Sequence, residues 1–498
     1  MSKIVSLLLF ALPACAQWNT SGGDAQRSSW IRSDPKISRT SLQTPGFSVV
    51  WKVKLDNQAR QQNSLGAVAV QERYIGYRGF RALGFVGGSS DNVFVMDTDL
   101  GRIEWQKHLT SDPAPAGTAD CPGGVTAMVA RPSGTAFPAA PGRGGGGRAN
   151  YAKSGVGEPD EGSVIIAQQA ARAAAAAAAT AAGAGRRGPG RGAFGPPPRR
   201  RDEIHVVTGD GKLHLLWISN GNEPDPPLPF VPAGANVRGL TVVNRIAYAA
   251  TTQGCGGAPN GIWALDLESK EVVSWKAGSG DVAGSEGFAF GPDGTLYVAT
   301  TTGDLVALDP KTLEPKTTYS AGKSGFVTTP VIFSHKGKTL IAAGARDGRM
   351  HLLDAADLAS PVAVSAPSSD APVAALATWQ DPSGTPWLLA PTTGAVAAWK
   401  LVDHEGGLSW ERAWTSRDMV SAMTPMIVNG VVFALSGGAP SKPAVLYALD
   451  GMTGKELWSS GNTITSYAHS GGLSGGASQI YLETYDGTLW AFGFPIEH

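Results

Sequence analysis

Charge is scarce in this chain of 498 residues: Asp, Glu, Lys and Arg make up only 16%, and 41 basic residues balance 41 acidic ones. A net charge of zero removes any global case for binding nucleic acid or an acidic membrane surface. Cysteine is nearly absent, with 3 in the whole chain, and no C-x-x-C-H run offers a covalent haem site. Beyond the N-terminus no stretch has the length and apolarity of a membrane helix. What is plentiful is Gly, at 65 residues, and Trp, at 14. That composition suits many short strands and tight turns, and long closed all-β folds often run as one unit.

The N-terminus reads as a signal peptide. Lys3 supplies the positive start, Ile4 to Leu12 is a mostly apolar run too short to span a bilayer, and Ala14-Cys15-Ala16 is a cleavage site. The mature chain then begins at Gln17, exported to the periplasm or beyond the cell. The competing reading is a lipoprotein anchored at Cys15, with Leu12-Pro13-Ala14-Cys15 as a lipobox, a pattern that Pro13 fits poorly. Cleavage after Ala16 leaves Cys121 and Cys255. An even count in an oxidising compartment permits one disulfide. Each lies beside a Gly pair that allows the close approach a bridge needs; two buried free thiols are the alternative.

Internal repetition decides the fold class. The unit is an apolar strand, in five copies ending at a corner Asp, followed by a turn and often a Trp. Clear copies are Val93 to Asp97, Ile262 to Asp266, Leu305 to Asp309, Met350 to Asp354 and Leu446 to Asp450. Weaker ones are Leu213 to Trp217, Val396 to Trp399 and Leu489 to Phe492. Asp-Gly and Gly-Asp pairs before several of them give the positive φ of a tight hairpin. The corner Asp can accept hydrogen bonds from the N–H groups of its turn, so these aspartates are structural and not catalytic. The Trp can pack between neighbouring sheets. One such hairpin cannot bury both faces; a ring of them can. The eight copies are read as the third strands of eight four-stranded blades. The last has no fourth strand behind it, and Phe47 to Leu55 looks like a fourth strand with no third before it. The two ends are therefore expected to share one closing blade.

A segment from Pro132 to Glu203 interrupts the second blade. It is rich in Gly, Ala, Pro and Arg and poor in large apolar side chains, so it is expected to stay mostly disordered, with Ala167 to Ala179 able to form a helix. Its Arg-Gly stretches resemble RNA-binding tails, but export and the interleaved Glu158, Asp160 and Glu161 argue against that use.

The repeat resembles that of the pyrroloquinoline-quinone (PQQ) propellers, whose motif A-L-D-x-x-T-G-x-x-x-W is matched best from Ala448 to Trp458. The stretch Trp18 to Trp30, with Gly22-Gly23-Asp24-Ala25-Gln26-Arg27 inside it, looks like the family's N-terminal segment, which packs against the ring. The resemblance covers the mature chain apart from the insertion. It implies an all-β, eight-bladed propeller in the quinoprotein alcohol dehydrogenase-like superfamily. It leaves two functions open: a binding or scaffold module without cofactor, or a PQQ- and Ca²⁺-dependent dehydrogenase of an alcohol or sugar. The adjacent cysteines of many PQQ alcohol dehydrogenases are missing, which favours the first. Its partner would be a protein or small molecule at the propeller face of a monomer, with no nucleic acid.

Near the starts of the innermost strands, the repeats place Arg60, Asn63, Arg238, Glu286, Thr328, Thr424 and His469 around an axial funnel. Glu286 is the candidate oxygen ligand for a cation, His469 a candidate base, and the arginines candidate clamps for carboxylates. The same residues also read as a self-satisfied polar network lining a wet channel.

Overall fold

The alternation inside single strands dictates a layered ring. In Val445–Asp450, Leu446 and Ala448 pack into one hydrophobic cluster while Tyr447 and Leu449 pack into another. In Gly261–Asp266, Ile262 and Ala264 face one core and Leu265 faces the next. Successive side chains of a strand point to opposite faces, so each sheet is sandwiched by its neighbours and the cores lie between blades. Each fully buried Val, Leu, Ile or Phe in these layers contributes about 1.5–3 kcal/mol relative to exposure.

The computed structural model describes residues 18–76, 79–110, 117–133, 202–469 and 471–495. Residues 1–16, read above as a leader, and all but the two ends of the insertion lie outside the described residues. Eight sheets are present. Blade 1 is formed by Ala69–Gly76, Gly79–Gly88, Asn92–Asp97 and Arg102–His108. Blade 2 is formed by Glu203–Val207, Lys212–Trp217 and Leu228–Pro229, its innermost position reduced to the bridge between Ala130 and His205. Blade 3 runs from Asn236–Val243 to Val272–Lys276, with Pro132–Ser133 added in parallel at its inner edge. Blades 4, 5 and 6 span Phe288–Phe290 to Pro315–Ser320, Val331–His335 to Ala363–Val364, and Ala377–Gln380 to Gly407–Thr415. Blade 7 runs from Met426–Val428 to Glu456–Ser459. Blade 8 takes Leu473–Gly476, Gln479–Glu483 and Thr488–Gly493 from the C-terminus and Ser48–Lys54 from the N-terminal part. That last strand is antiparallel to Thr488–Gly493, with Lys52 opposite Trp490. The eight-bladed ring closed by both ends is thus as the repeats imply.

The corner aspartates cap their turns. Asp450 Oδ1 accepts from the N–H groups of Met452 and Thr453 at 3.0 Å each, and Asp97, Asp266 and Asp309 do the same in their blades. The outer-strand tryptophans tie blade to blade: Trp51 donates to the Thr98 carbonyl, and Trp105 to that of Ile218, at 2.7 Å each.

The stretch from Trp18 to Ile31 makes a circuit of the ring as a strap. Its carbonyls accept from the inner strands in blade order: Trp18 from Val70, Asn19 from Arg131, Ala25 from Phe290, Gln26 from Ile332, Ser28 from Thr378 and Ser29 from Ile427. Blade 3 is reached through Thr20 Oγ1, which donates to the Leu240 carbonyl at 2.7 Å. Trp30–Ile31 then joins Met426–Val428 in parallel. Seven blades are stitched to one segment by hydrogen bonds, and the strap supplies the floor for whatever lies on the axis.

Candidate functional site

On the axis lies a cavity of about 550 Å³. Its floor is the strap, through Trp18, Ser21, Gly22 and Ser29; its walls are the approaches to the inner strands. Of the residues singled out in the sequence, Asn63, Arg238, Glu286, Thr424 and His469 line it. Arg60 and Thr328 do not. Arg60 folds into a turn, its N–H donating to the Asn63 carbonyl at 2.8 Å, with its Cδ near Gly124. Thr328 is fully buried and its hydroxyl accepts the Gly344 N–H at 2.8 Å inside blade 5. Its neighbour Thr329 is the one that reaches the site's frame, accepting the Glu286 N–H at 2.9 Å.

Glu286 is the most perturbed group on the cavity. Its side chain is 8% exposed, and burial raises its carboxyl from 4.5 to about 7, with Asp24 adding to the rise and Arg27 opposing it. Oε2 has no hydrogen-bond partner. It rests on Gly22, where a Cβ would come within 2.6 Å of it. Gly22 has φ +68°, so its missing side chain serves both the turn and the carboxyl above it.

Behind Glu286 stands Arg27, 1% exposed. Its guanidinium spends its donors on neutral oxygens: Nε on the Phe288 carbonyl at 2.7 Å, Nη1 on Thr20 Oγ1 and the Ser21 carbonyl, Nη2 on the Gly239 carbonyl and Thr241 Oγ1. Burial lowers it to about 10 even though Glu286 and Asp24 pull the other way. Asp24 accepts from both the N–H and the hydroxyl of Ser28. Arg27 is therefore a cross-brace between strap and blades 3 and 4, with no donor left for Glu286.

Arg238 lies one residue before Gly239, where a Cβ would meet the Glu286 carbonyl oxygen at 2.1 Å, so the two backbones are in contact. The Arg238 guanidinium is partly buried and makes no hydrogen bond or ion pair among the described residues; burial lowers it, with Asp281 opposing. Trp18, 2% exposed, leaves its indole N–H without a partner. Tyr467 stacks on Tyr485 at 4.8 Å between ring centroids, and exposed His469 follows it. Cys121 and Cys255 form a disulfide with Cα atoms 5.4 Å apart, joining the loop before blade 2 to the loop between the second and third strands of blade 3; the Asp120 carbonyl beside it accepts from the Asn236 side chain.

Arg27 and Trp18 were not among the sequence candidates. Both lie in the strap motif, yet no periodicity connects Arg27 to a glutamate in the fourth blade. A further missed group is the acid Glu483 in blade 8, 2% exposed, which burial holds well above the carboxylate range.

No protein-family model and no curated protein matches the chain. Solved structures do. The quinohemoprotein alcohol dehydrogenase from Comamonas testosteroni is 13% identical, with 98% of this chain and 82% of that one covered and a TM-score of 0.61. A europium-containing methanol dehydrogenase is 11% identical, with 96% and 98% covered and a TM-score of 0.58. The computationally designed Ika8 protein is 13% identical, with 90% and 100% covered and a TM-score of 0.53. At such identities the likeness shows the fold alone, a β-propeller. Catalysis does not follow from it.

Proposed function

We propose that this chain is an exported binding propeller that captures a small molecule in its axial cavity and does not run quinone chemistry. The observation that carries this reading is the donor set around Glu286. A resident Ca²⁺ takes about six to eight oxygen ligands and favours ionised carboxylates. Here a single carboxyl faces the cavity, half-protonated near neutral pH, and Asp24, the nearest other acid acting on it, is spent on Ser28. Among the described residues no three of His, Cys, Asp and Glu converge as a metal site. These residues do not fit the quinone–cation pair that the resemblance implies, and no step is derived through it. A cavity with orphaned donors and acceptors at its floor fits ligand binding instead.

Export is supported by the N-terminal leader pattern and the Cys121–Cys255 bridge, which suits an oxidising compartment. No helix among the described residues is long and apolar enough to cross a membrane.

Reconstitution tests the reading. Purified protein mixed with PQQ and Ca²⁺ is expected to show no change in quinone absorbance, no thermal shift and no alcohol- or sugar-dependent reduction of an artificial acceptor. Turnover under those conditions would replace the binding reading with the dehydrogenase one.

A further inference from the structure

The inference rests on the small-molecule reading above and names the chemical class of the ligand. Three polar groups of the cavity lining are left without protein partners, and their chemistry differs. Glu286 Oε2 is a buried acceptor that lacks a donor. The Trp18 indole N–H is a buried donor that lacks an acceptor. The Arg238 guanidinium is a cation with no hydrogen-bonded anion among the described residues. Glu286 and Arg238 come from touching backbone segments, yet their side chains form no ion pair with each other. Charge of each sign is thus held apart at the same cavity.

Glu286 and Arg238 each lack a hydrogen-bonded counter-ion in a partly desolvated site, Arg27 and Asp281 acting on them through charge alone, and an uncharged ligand would leave both without one. A ligand with only an anion or only a cation satisfies one of them. We infer that the axial cavity takes a small zwitterion of the amino-acid class. Its carboxylate is held by Arg238 and the Trp18 N–H, and its ammonium by Glu286. The remaining charged groups near Glu286 are accounted for: Arg27 has no free donor, and Asp24 is committed to Ser28. His469 lines the cavity as an exposed imidazole that burial holds below its ordinary value, so it adds no standing charge near neutral pH. Binding an ammonium against Glu286 favours its ionised form, so capture near neutral pH releases a fraction of a proton.

Isothermal titration of the full chain at pH 7 tests this with the ω-amino acids from glycine to 6-aminohexanoate. Butyrate and n-butylamine serve as single-charge controls and glucose as a neutral one. At least one zwitterion is expected to bind tenfold or more tightly than either single-charge control, with heats that depend on the buffer's ionisation enthalpy. Glu286→Gln and Arg238→Gln, each folded by circular dichroism, should each weaken it by tenfold or more. Glu286→Gln should also abolish the buffer dependence, which a merely structural role would not do. Equal binding of butyrate or butylamine, or no binding by any zwitterion, overturns the inference. Binding of glucose alone overturns it while leaving the small-molecule reading intact; that reading falls only to the PQQ reconstitution.

Discussion

Trp414 donates its indole N–H to the carbonyl of Gly451 at 3.0 Å and lays its ring over Gly454 of the next blade. A Cβ on Gly454 would come within 2.6 Å of the ring, and the residue has φ +70°. Gly454→Ala therefore adds a steric clash to a left-handed backbone penalty, and a loss of roughly 2–4 kcal/mol is expected. Gly278 has φ +67° and nothing within 4 Å of its would-be Cβ, so Gly278→Ala should cost only the backbone part, about 1–2 kcal/mol. Urea melts of the two variants compare them. Equal losses would show that the Trp–Gly contact does not lock blade 6 to blade 7.

The Cys121–Cys255 bridge spans 134 residues of sequence and joins neighbouring blades across the insertion. In the chain-entropy model a loop of that size gives roughly 4–5 kcal/mol of stability. Peptide mapping of the purified protein, alkylated without reduction, should find both cysteines blocked, and reductant should lower the urea midpoint. Alkylation at both positions before reduction would contradict the bridge.

Glu286 makes stability depend on pH with a definite sign. Its carboxyl is raised in the folded state, from 4.5 to about 7. Its contribution is therefore fully present below pH 4.5 and is lost as pH rises to about 7, when the folded protein must carry a buried carboxylate. The cost at higher pH is roughly 3 kcal/mol. Glu286→Gln should melt close to wild type at pH 4 and above it at pH 8, in ligand-free protein. Glu483 and Asp24 are raised in the same direction and remain in the variant, so its profile becomes shallower without becoming flat. A constant offset between the two proteins from pH 4 to 8 would mean that Glu286 does not titrate in this window.

The ring was legible because its signals are local. Leu446 to Asp450 announces a strand sandwiched on both faces and a capped corner within a dozen residues. The orphan strand at Phe47 and the incomplete blade at Phe492 name each other as partners. The strap's route was not legible, since it is held by backbone carbonyls meeting strands as far off as Ile427, which leave no side-chain pattern. The same reason hid Arg27 and Trp18 from the candidate site. Thr328 was misplaced by one residue: in extended chain a single step turns a side chain to the other face. Arg60 was misplaced because it sits in a turn, where no period applies.

Native mass spectrometry of the protein purified gently from its producing cells tests the central claim most directly. The account predicts a cavity occupied by a small organic molecule without a divalent cation, and loss of that adduct in Arg238→Gln. An adduct with the mass of PQQ and one divalent cation would contradict it.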